Sequence, residues 1–231
     1  MHASFAASDQ PPAATAALRS RHVRIGPRAL PGDLDVPARS RALVLFAHGS
    51  GSSRLSSRNR WVAEVLQQHE LSTLLFDLLD DEEAADRRKV FDIGLLSERV
   101  QQAIDWVGDQ AALAGMRIGL FGASTGAAAA LCAAAARPGR VAAVVSRGGR
   151  PDLAEASLPQ VHVPTLLIVG GEDREVLALN RQALRELRCN KRLEVVPGAT
   201  HLFEEPGALG SVAQLAADWF ETHLGRRPFM A

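Results

Sequence analysis

Cysteine is scarce in this chain, and the two that occur, Cys132 and Cys189, lie far apart in the sequence. Two isolated cysteines form neither a disulfide framework nor a zinc-binding pattern. We therefore expect a protein of a reducing, cytoplasmic compartment. The chain also lacks a run of about eighteen apolar residues, the length that a membrane-spanning helix needs, so no membrane association is expected.

A net charge of either sign is absent as well. Lysine and arginine together number 26, as do aspartate and glutamate, so no overall field attracts nucleic acid or an anionic membrane. No set of histidines and acids has metal-ligand spacing, and neither a phosphate-binding loop nor a dinucleotide fingerprint occurs. We expect no metal, no cofactor and no nucleic-acid partner, which leaves a small molecule as the ligand. The oligomeric state is not indicated.

The first twenty residues are rich in Ala, Ser and Pro and lack the basic start and apolar core of a secretory signal. The prediction is a disordered tail over residues 1–20, one domain over 21–225 and a short tail over 226–231. A chain of this length is sufficient for a single domain with a sizeable core.

Short apolar runs alternate with longer amphipathic segments from residue 41 onward. Runs that are apolar at nearly every position are typical of strands covered on both faces. Their alternation with helices predicts the α/β class, a mostly parallel sheet with helices on both sides. The predicted strands are 42–47, 73–76, 117–121, 141–146, 165–169 and 193–196, with weaker edge strands at 23–25 and 34–36. The predicted helices are 57–70, 94–110, 124–137, 175–188 and 208–224.

The pentapeptide GASTG, residues 122–126, follows one of these strands and precedes an alanine-rich helix. Alone, G-x-S-x-G is a weak pattern that also fits an ordinary glycine-tightened turn. A strand before it and a helix after it are the setting of a nucleophile elbow. This setting favours Ser124 as a nucleophile at the carboxyl edge of the sheet, where parallel sheets bind ligands.

Two further residues complete a catalytic triad in the order nucleophile, acid, histidine. Asp173 follows the strand at 165–169, and His201 follows the strand at 193–196. Each alone has an ordinary alternative, a helix N-cap for Asp173 and a surface histidine for His201. Both residues follow strands at the same edge of the sheet and occur in the expected order. This favours Asp173 as an acid that orients His201, the base next to Ser124.

Ester hydrolysis also needs donors aimed at the oxyanion. The backbone N–H of Thr125, directly after the nucleophile, is one candidate. The glycine-rich loop HGSGSS at 48–53 supplies the other, with the N–H of Ser50 preferred over that of Gly51. His48 is interpreted as a residue that holds this loop.

Several arginines follow strands at the same edge: Arg54, Arg58 and Arg60 after the glycine-rich loop, and Arg147 and Arg150 after the strand at 141–146. Two interpretations remain open. They pair with acids on nearby loops, such as Asp77, Asp152 or Glu204. Alternatively, Arg54, Arg58 and Arg147 bind a carboxylate or phosphate of the substrate. The stretch between Ser146 and Pro164 is too short for a large lid, so we expect an open site for small or polar substrates.

With these residues identified, the chain resembles the dienelactone-hydrolase-like members of the α/β-hydrolases over residues 40–224. The motifs that carry the resemblance are HGSGSSRLSSRNR (48–60), LLFDLL (74–79), GLFGASTGAAAAL (119–131), VSRGGRPDLA (145–154), PTLLIVGGED (164–173) and VVPGATHLFEEPG (195–207). The resemblance implies the same roles for Ser124, Asp173, His201 and the loop around Ser50. Similar sequences look like hydrolase halves of fusions with phosphoribosyltransferases. The better-known dienelactone hydrolases have a cysteine at the elbow, so Ser124 weakens any inference that the substrate is a dienelactone.

The function that the sequence predicts is hydrolysis of a small carboxylic ester, with lactones and thioesters compatible with the same residues. A cofactor-free haloperoxidase would use the same triad. A non-catalytic module that binds a small anion or docks a phosphoribosyltransferase is the alternative of a different class.

Overall fold

Eight strands form a single sheet within residues 18–225, the part of the chain that this computed structural model describes. The strands are β1 (Leu18–Ile25), β2 (Leu30–Pro37), β3 (Ala42–Ala47), β4 (Ser72–Phe76), β5 (Arg117–Ala123), β6 (Val141–Arg147), β7 (Thr165–Gly170) and β8 (Lys191–Val196). Their order across the sheet is β1-β2-β4-β3-β5-β6-β7-β8. Both weaker strands predicted upstream are present and are longer than the sequence indicated, but only β1 is an edge strand, because β2 lies between β1 and β4.

The sheet is parallel from β4 to β8 and antiparallel at the β1–β2 side. Every residue of β3, β4 and β7 is buried, because helices cover both faces of the sheet. This arrangement, with a mostly parallel sheet between two helical layers, is the α/β-hydrolase fold and confirms the predicted class.

Two helical layers enclose the sheet. Helices α1 and α7 bury one face, and α4 and α5 bury the other. The helices are α1 (Ser57–Gln68), α2 (Asp81–Ala85), α3 (Arg87–Val90), α4 (Ile93–Asp109), α5 (Thr125–Ala136), α6 (Arg174–Glu186) and α7 (Ala208–Leu224). Short polar side chains begin several of them: Ser56 accepts from the N–H of Asn59, and Asp92 accepts from the N–H of Leu95, as expected of N-caps.

The five predicted helices are confirmed to within one or two residues at each end, and several shorter helices were missed, one of them a 3₁₀ helix, Ala111–Leu113. Helices α2 and α3 lie between β4 and α4, where the sequence is charged and short of apolar residues. A 3₁₀ helix, Pro151–Gln160, forms most of the connection from β6 to β7. This connection is short, as predicted, and leaves no room for a large lid.

Strand β1 begins at Leu18, so the predicted tail over residues 1–20 extends three residues too far. The rest of that tail, and the C-terminal tail predicted over 226–231, lie outside the described residues. Across residues 18–225, no helix combines the length and the apolar character that crossing a membrane requires.

Candidate active site

Ser124 occupies a sharp turn between β5 and α5, with φ of 52° and ψ of −120°. A non-glycine residue rarely adopts positive φ, and such strain is typical of functional turns. A Cβ on Gly122 would lie 2.4 Å from Ala127 Cα, and one on Gly126 would lie 2.2 Å from the carbonyl oxygen of Ala47. The turn is this tight because glycines flank the serine, which is the geometry of a nucleophile elbow.

Asp173 and His201 meet at the same edge of the sheet. The Oδ2 atom of Asp173 lies 2.6 Å from His201 Nδ1, and the two side chains are 14% and 39% exposed. Asp173 is at the N-cap position of α6, yet its side chain makes no capping hydrogen bond. The carboxylate is therefore directed to the imidazole, whose other nitrogen, Nε2, remains available for proton transfer.

Backbone contacts link this pair to the elbow through the end of β6. The N–H of Ser124 donates to the carbonyl oxygen of Arg147, at 3.2 Å. The next residue, Gly148, has φ of 51°, and a Cβ there would lie 3.3 Å from the His201 carbonyl oxygen and 3.5 Å from its Nδ1. The structure thus brings the loop of His201 against the segment that is hydrogen-bonded to Ser124.

The glycine-rich loop after β3 packs on the elbow, because a Cβ at Gly49 would lie 3.1 Å from Ser124 Cβ. The N–H of Ser50 donates to the hydroxyl oxygen of Thr125, at 2.9 Å. Sequence reasoning assigned both residues to an oxyanion hole through their backbone N–H groups and missed this side-chain contact. Residue type alone gave no signal for it, because the contact depends on how the loop folds over the elbow.

His48 holds the base of the same loop. Its Nδ1 lies 3.0 Å from the carbonyl oxygen of Gly49, and its Nε2 accepts from the N–H of Leu78 at 3.0 Å. This pair of bonds requires the neutral ring with its proton on Nδ1. Burial, the largest effect on this group, lowers the pKa of His48.

The replacement His48→Phe is expected to lower the free energy of unfolding by about 1–3 kcal/mol, because it leaves the buried N–H of Leu78 unpaired. It is also expected to reduce the pH dependence of stability. The unfolded ring takes up a proton below about pH 6.5 while the buried ring resists it, so the wild type loses stability as the pH falls through this range. Urea unfolding at pH 5.5 and 7.5 measures both effects. Exposed His162 is the control, and an equal loss of pH dependence in His162→Phe would contradict the assignment.

The arginines at this edge have different partners. Four of the five pair with acids, and three of these pairs are Arg54 with Asp77 at 2.7 Å, Arg150 with Asp152 at 2.8 Å, and Arg60 with Asp33 at 3.3 Å. Arg54 also donates its backbone N–H to Asp77, at 2.7 Å. For Arg54, predicted to bind substrate, the structure favours the bracing interpretation instead.

Arg58 and Arg147 behave differently. Arg58 pairs with Glu204 at 3.0 Å, but that carboxylate is 63% exposed. Arg147 is buried, and among residues 18–225 its Nε and Nη1 atoms have no hydrogen-bond partner. Of the three arginines predicted to bind substrate, these two remain candidates.

A cavity of about 540 Å³ opens beside the glycine-rich loop. Its apolar wall comes from the following residues: Leu55, Leu78, Leu79, Ala84, Val90 and Leu96. Part of this wall belongs to helices α2 and α3, which sequence reasoning did not predict. A second hollow, about 1180 Å³, lies at the opposite, amino-terminal edge of the sheet beside Arg39, Arg41 and Arg117. Within residues 18–225, no group of three or more His, Cys, Asp or Glu side chains is placed to hold a metal ion.

Comparison with known proteins places this geometry in a family. Residues 66–224 match the model of the dienelactone hydrolase family. The chain belongs to the dienelactone hydrolase family. Membership in it supports hydrolase chemistry, and the resemblance seen in the sequence motifs is confirmed.

Solved structures agree with this assignment. A dienelactone hydrolase from Anabaena variabilis is 54% identical, with a TM-score of 0.86 over 90% of this chain and 99% of that one. Est1E from Butyrivibrio proteoclasticus has a TM-score of 0.76 over 90% of this chain and 99% of that one, at 14% identity. The second likeness shows the fold alone.

Longer relatives also match. A Mycobacterium tuberculosis protein, found in two strains and provisionally named a phosphoribosyl transferase, is 55% identical over 221 residues. The match covers 95% of this chain and 48% of that protein. The chain therefore spans about half the length of these curated relatives.

Proposed function

We propose that this protein is a serine-dependent carboxylic-ester hydrolase that cleaves a small ester, lactone or thioester. The observation that carries the proposal is the carboxylate of Asp173 on His201, 2.6 Å apart, at the sheet edge where the elbow presents Ser124. A serine hydroxyl becomes an effective nucleophile only beside a base that a third group orients. The family of the chain supports the same class of reaction.

The proposed reaction begins when His201 Nε2 takes the proton of Ser124 and Oγ attacks the carbonyl carbon. Asp173 keeps the other proton on Nδ1 and stabilises the imidazolium that forms. His201 then protonates the leaving alcohol, which departs and leaves an acyl group on Ser124. A water molecule, deprotonated by His201, releases the acid and restores the hydroxyl.

Two backbone N–H groups are proposed to stabilise the oxyanion, those of Thr125 and Ser50. The N–H of Thr125 is the first of α5, so it has no acceptor within the helix. The N–H of Ser50 donates to the Thr125 hydroxyl without substrate. It must therefore share or exchange this bond when an oxyanion forms, which makes the second donor dependent on a small movement of the loop.

A fluorophosphonate probe, together with p-nitrophenyl acetate and butyrate, tests the proposal. The wild type is expected to take up one probe per chain and to hydrolyse both esters, whereas Ser124→Ala is expected to do neither. Ser211→Ala, which alters an exposed serine of α7, is the matched control and retains both. A folded wild type that neither labels nor turns over would contradict the proposal.

A binding module is the second candidate. It is favoured by the curated relatives, which are about twice as long and carry the phosphoribosyl transferase name. In this alternative the domain recognises a small anion or docks a transferase partner without chemistry at Ser124. An unlabelled but folded protein would favour it.

A further inference from the structure

The cavity of about 540 Å³ lies directly beside the candidate nucleophile. Gly49 and Ser50 line it, and a Cβ on Gly49 would lie 3.1 Å from Ser124 Cβ. Its volume lies within the range of about 300–1,000 Å³ that is usual for small-molecule sites. An ester carbonyl that is attacked by Ser124 and held by the N–H of Ser50 therefore has this cavity next to it.

The wall of the cavity favours an apolar group. Leu78 and Leu96 are buried in this wall, and Val90 is half-buried there. Leu55 belongs to the same wall and is 53% exposed. An apolar ligand would remove this exposed surface from water together with its own, which is the main source of favourable free energy in such sites.

The charges at the cavity disfavour an anion. Two carboxylates, those of Asp77 and Asp81, line it, and no arginine or lysine of the described chain does so. The nearby Arg54 is already paired with Asp77, at 2.7 Å. An anionic group would therefore enter without a free cation to pair with, and the removal of such an ion from water is costly.

His201 determines which half of an ester faces the cavity. In the proposed reaction its Nε2 protonates the leaving oxygen, so this oxygen must lie within hydrogen-bonding distance of the ring. Within residues 18–225, the lining comes from residues between 48 and 56 and between 77 and 96, and neither the loop of His201 nor α6 contributes to it. The alcohol half is then held on the side of His201, and the acyl half extends from the carbonyl carbon towards the cavity.

We propose that this cavity is an acyl pocket and that the substrate is an ester of a neutral, medium-chain apolar acid such as hexanoic acid. The substrate class rests on the proposed esterase function, whereas the binding of an apolar chain in the pocket does not. Helices α2 and α3 contribute Ala84 and Val90 to the pocket, so these two residues limit the chain length that it accepts. Acetate leaves most of the pocket unfilled and a dicarboxylate brings a charge into it, so both are poorer acyl groups.

Binding is tested in the Ser124→Ala protein, so that turnover plays no part. Isothermal titration calorimetry compares methyl hexanoate with methyl acetate. The longer ester is expected to bind at least about 10-fold more tightly, because each buried methylene adds up to about 4-fold. Ala84→Phe in the same background fills the pocket and is expected to abolish this difference. Equal affinities for the two esters, or a difference that Ala84→Phe leaves unchanged, would overturn the proposal.

Ala85→Phe is the matched control. Both alanines are exposed residues of α2, and of the two only Ala84 lines the pocket. Ala85→Phe is expected to keep the ratio of the two affinities within about 2-fold of its value in the Ser124→Ala protein. Equal losses in both variants would show that α2 is displaced as a whole and would overturn the assignment of Ala84 to the pocket.

Turnover tests whether the pocket takes the acyl half. Along p-nitrophenyl acetate, butyrate and hexanoate, the kcat/KM of the wild type is expected to rise about 2- to 4-fold per methylene. Ala84→Phe should lower kcat/KM about 10-fold or more for the hexanoate and less than about 3-fold for the acetate, since the triad is intact. Ethyl and hexyl acetate lengthen the alcohol half instead, and their kcat/KM values should agree within about 2-fold. A gain from the longer alcohol equal to that from the longer acyl chain would overturn the acyl assignment.

Val90→Asn replaces Ala84→Phe in both assays if that variant does not fold. It puts a polar side chain into the apolar wall and is expected to reduce the preference for hexanoate over acetate about 3-fold or more. An unchanged preference in Val90→Asn would then overturn the proposal. A wild type that hydrolyses none of these esters contradicts the esterase proposal alone, and calorimetry with methyl hexanoate still decides whether the pocket binds an apolar chain.

Discussion

The Asp173→Asn protein is expected to hydrolyse p-nitrophenyl esters with kcat lowered about 10³- to 10⁴-fold. The asparagine amide can donate to His201 Nδ1, which moves the ring proton to Nε2 and leaves no base for Ser124. The fold should be retained within about 1 kcal/mol, because Asp173 makes no capping hydrogen bond in α6. Steady-state kinetics and urea unfolding of the same preparation measure both quantities.

Glu172→Gln is the matched control for this substitution. Glu172 precedes Asp173 and is more than half exposed, and its nearest cation, Arg174, is 3.8 Å away. Loss of this carboxylate should leave kcat within about 2-fold, since it contacts neither His201 nor the elbow. Equal rates in Asp173→Asn and the wild type would refute the role of Asp173 in the triad, and equal losses in both variants would indicate damage to the loop as a whole.

The Gly126→Ala protein is expected to be less stable by about 3 kcal/mol or more and to lose the elbow geometry with its activity. Helix propensity alone predicts the opposite, a gain of up to about 1 kcal/mol inside a helix. Packing decides whether the substitution stabilises or destabilises the protein. The added methyl would lie 2.2 Å from the carbonyl oxygen of Ala47 and 2.4 Å from that of His48. Strand β3 and α5 would have to separate to admit it.

Gly94→Ala provides the comparison, since Gly94 is the second residue of α4 just as Gly126 is the second residue of α5. A methyl there would lie 3.3 Å from a single side-chain oxygen of Asp92, so stability should rise by up to about 1 kcal/mol or stay unchanged. Chemical denaturation of both variants measures the contrast. A Gly126→Ala protein as stable and active as Gly94→Ala would mean that the contact of α5 with β3 is not as close as described.

The strands and the chain order of the candidate triad were predictable because each depends on short stretches of sequence. A strand buried on both faces must be apolar at almost every position, and β3 and β7 are. A strand followed by G-x-S-x-G and an alanine-rich helix places Ser124 at a sheet edge. Asp173 and His201 also follow parallel strands, so they are expected at the same edge of the sheet as Ser124.

The pairing of charged side chains was not predictable in the same way. The sequence places Arg54 and Arg147 alike, near the ends of buried strands, yet Asp77 holds Arg54, whereas Nε and Nη1 of Arg147 have no hydrogen-bond partner within residues 18–225. The difference depends on which loops approach each guanidinium, which is a property of the folded chain. For the same reason the contact of Ser50 with the Thr125 hydroxyl has no signature in the sequence.

Helix α5 follows Ser124, eight of its twelve residues are alanine, and most of its residues are buried. With so little side-chain volume, the helix axis lies close to the sheet and no rotamer can rearrange beneath the nucleophile. Natural selection on the residues of this helix must then act on the volume of their side chains. Small residues retained here among relatives would record a limit on space, and they would say nothing about which ester is cleaved.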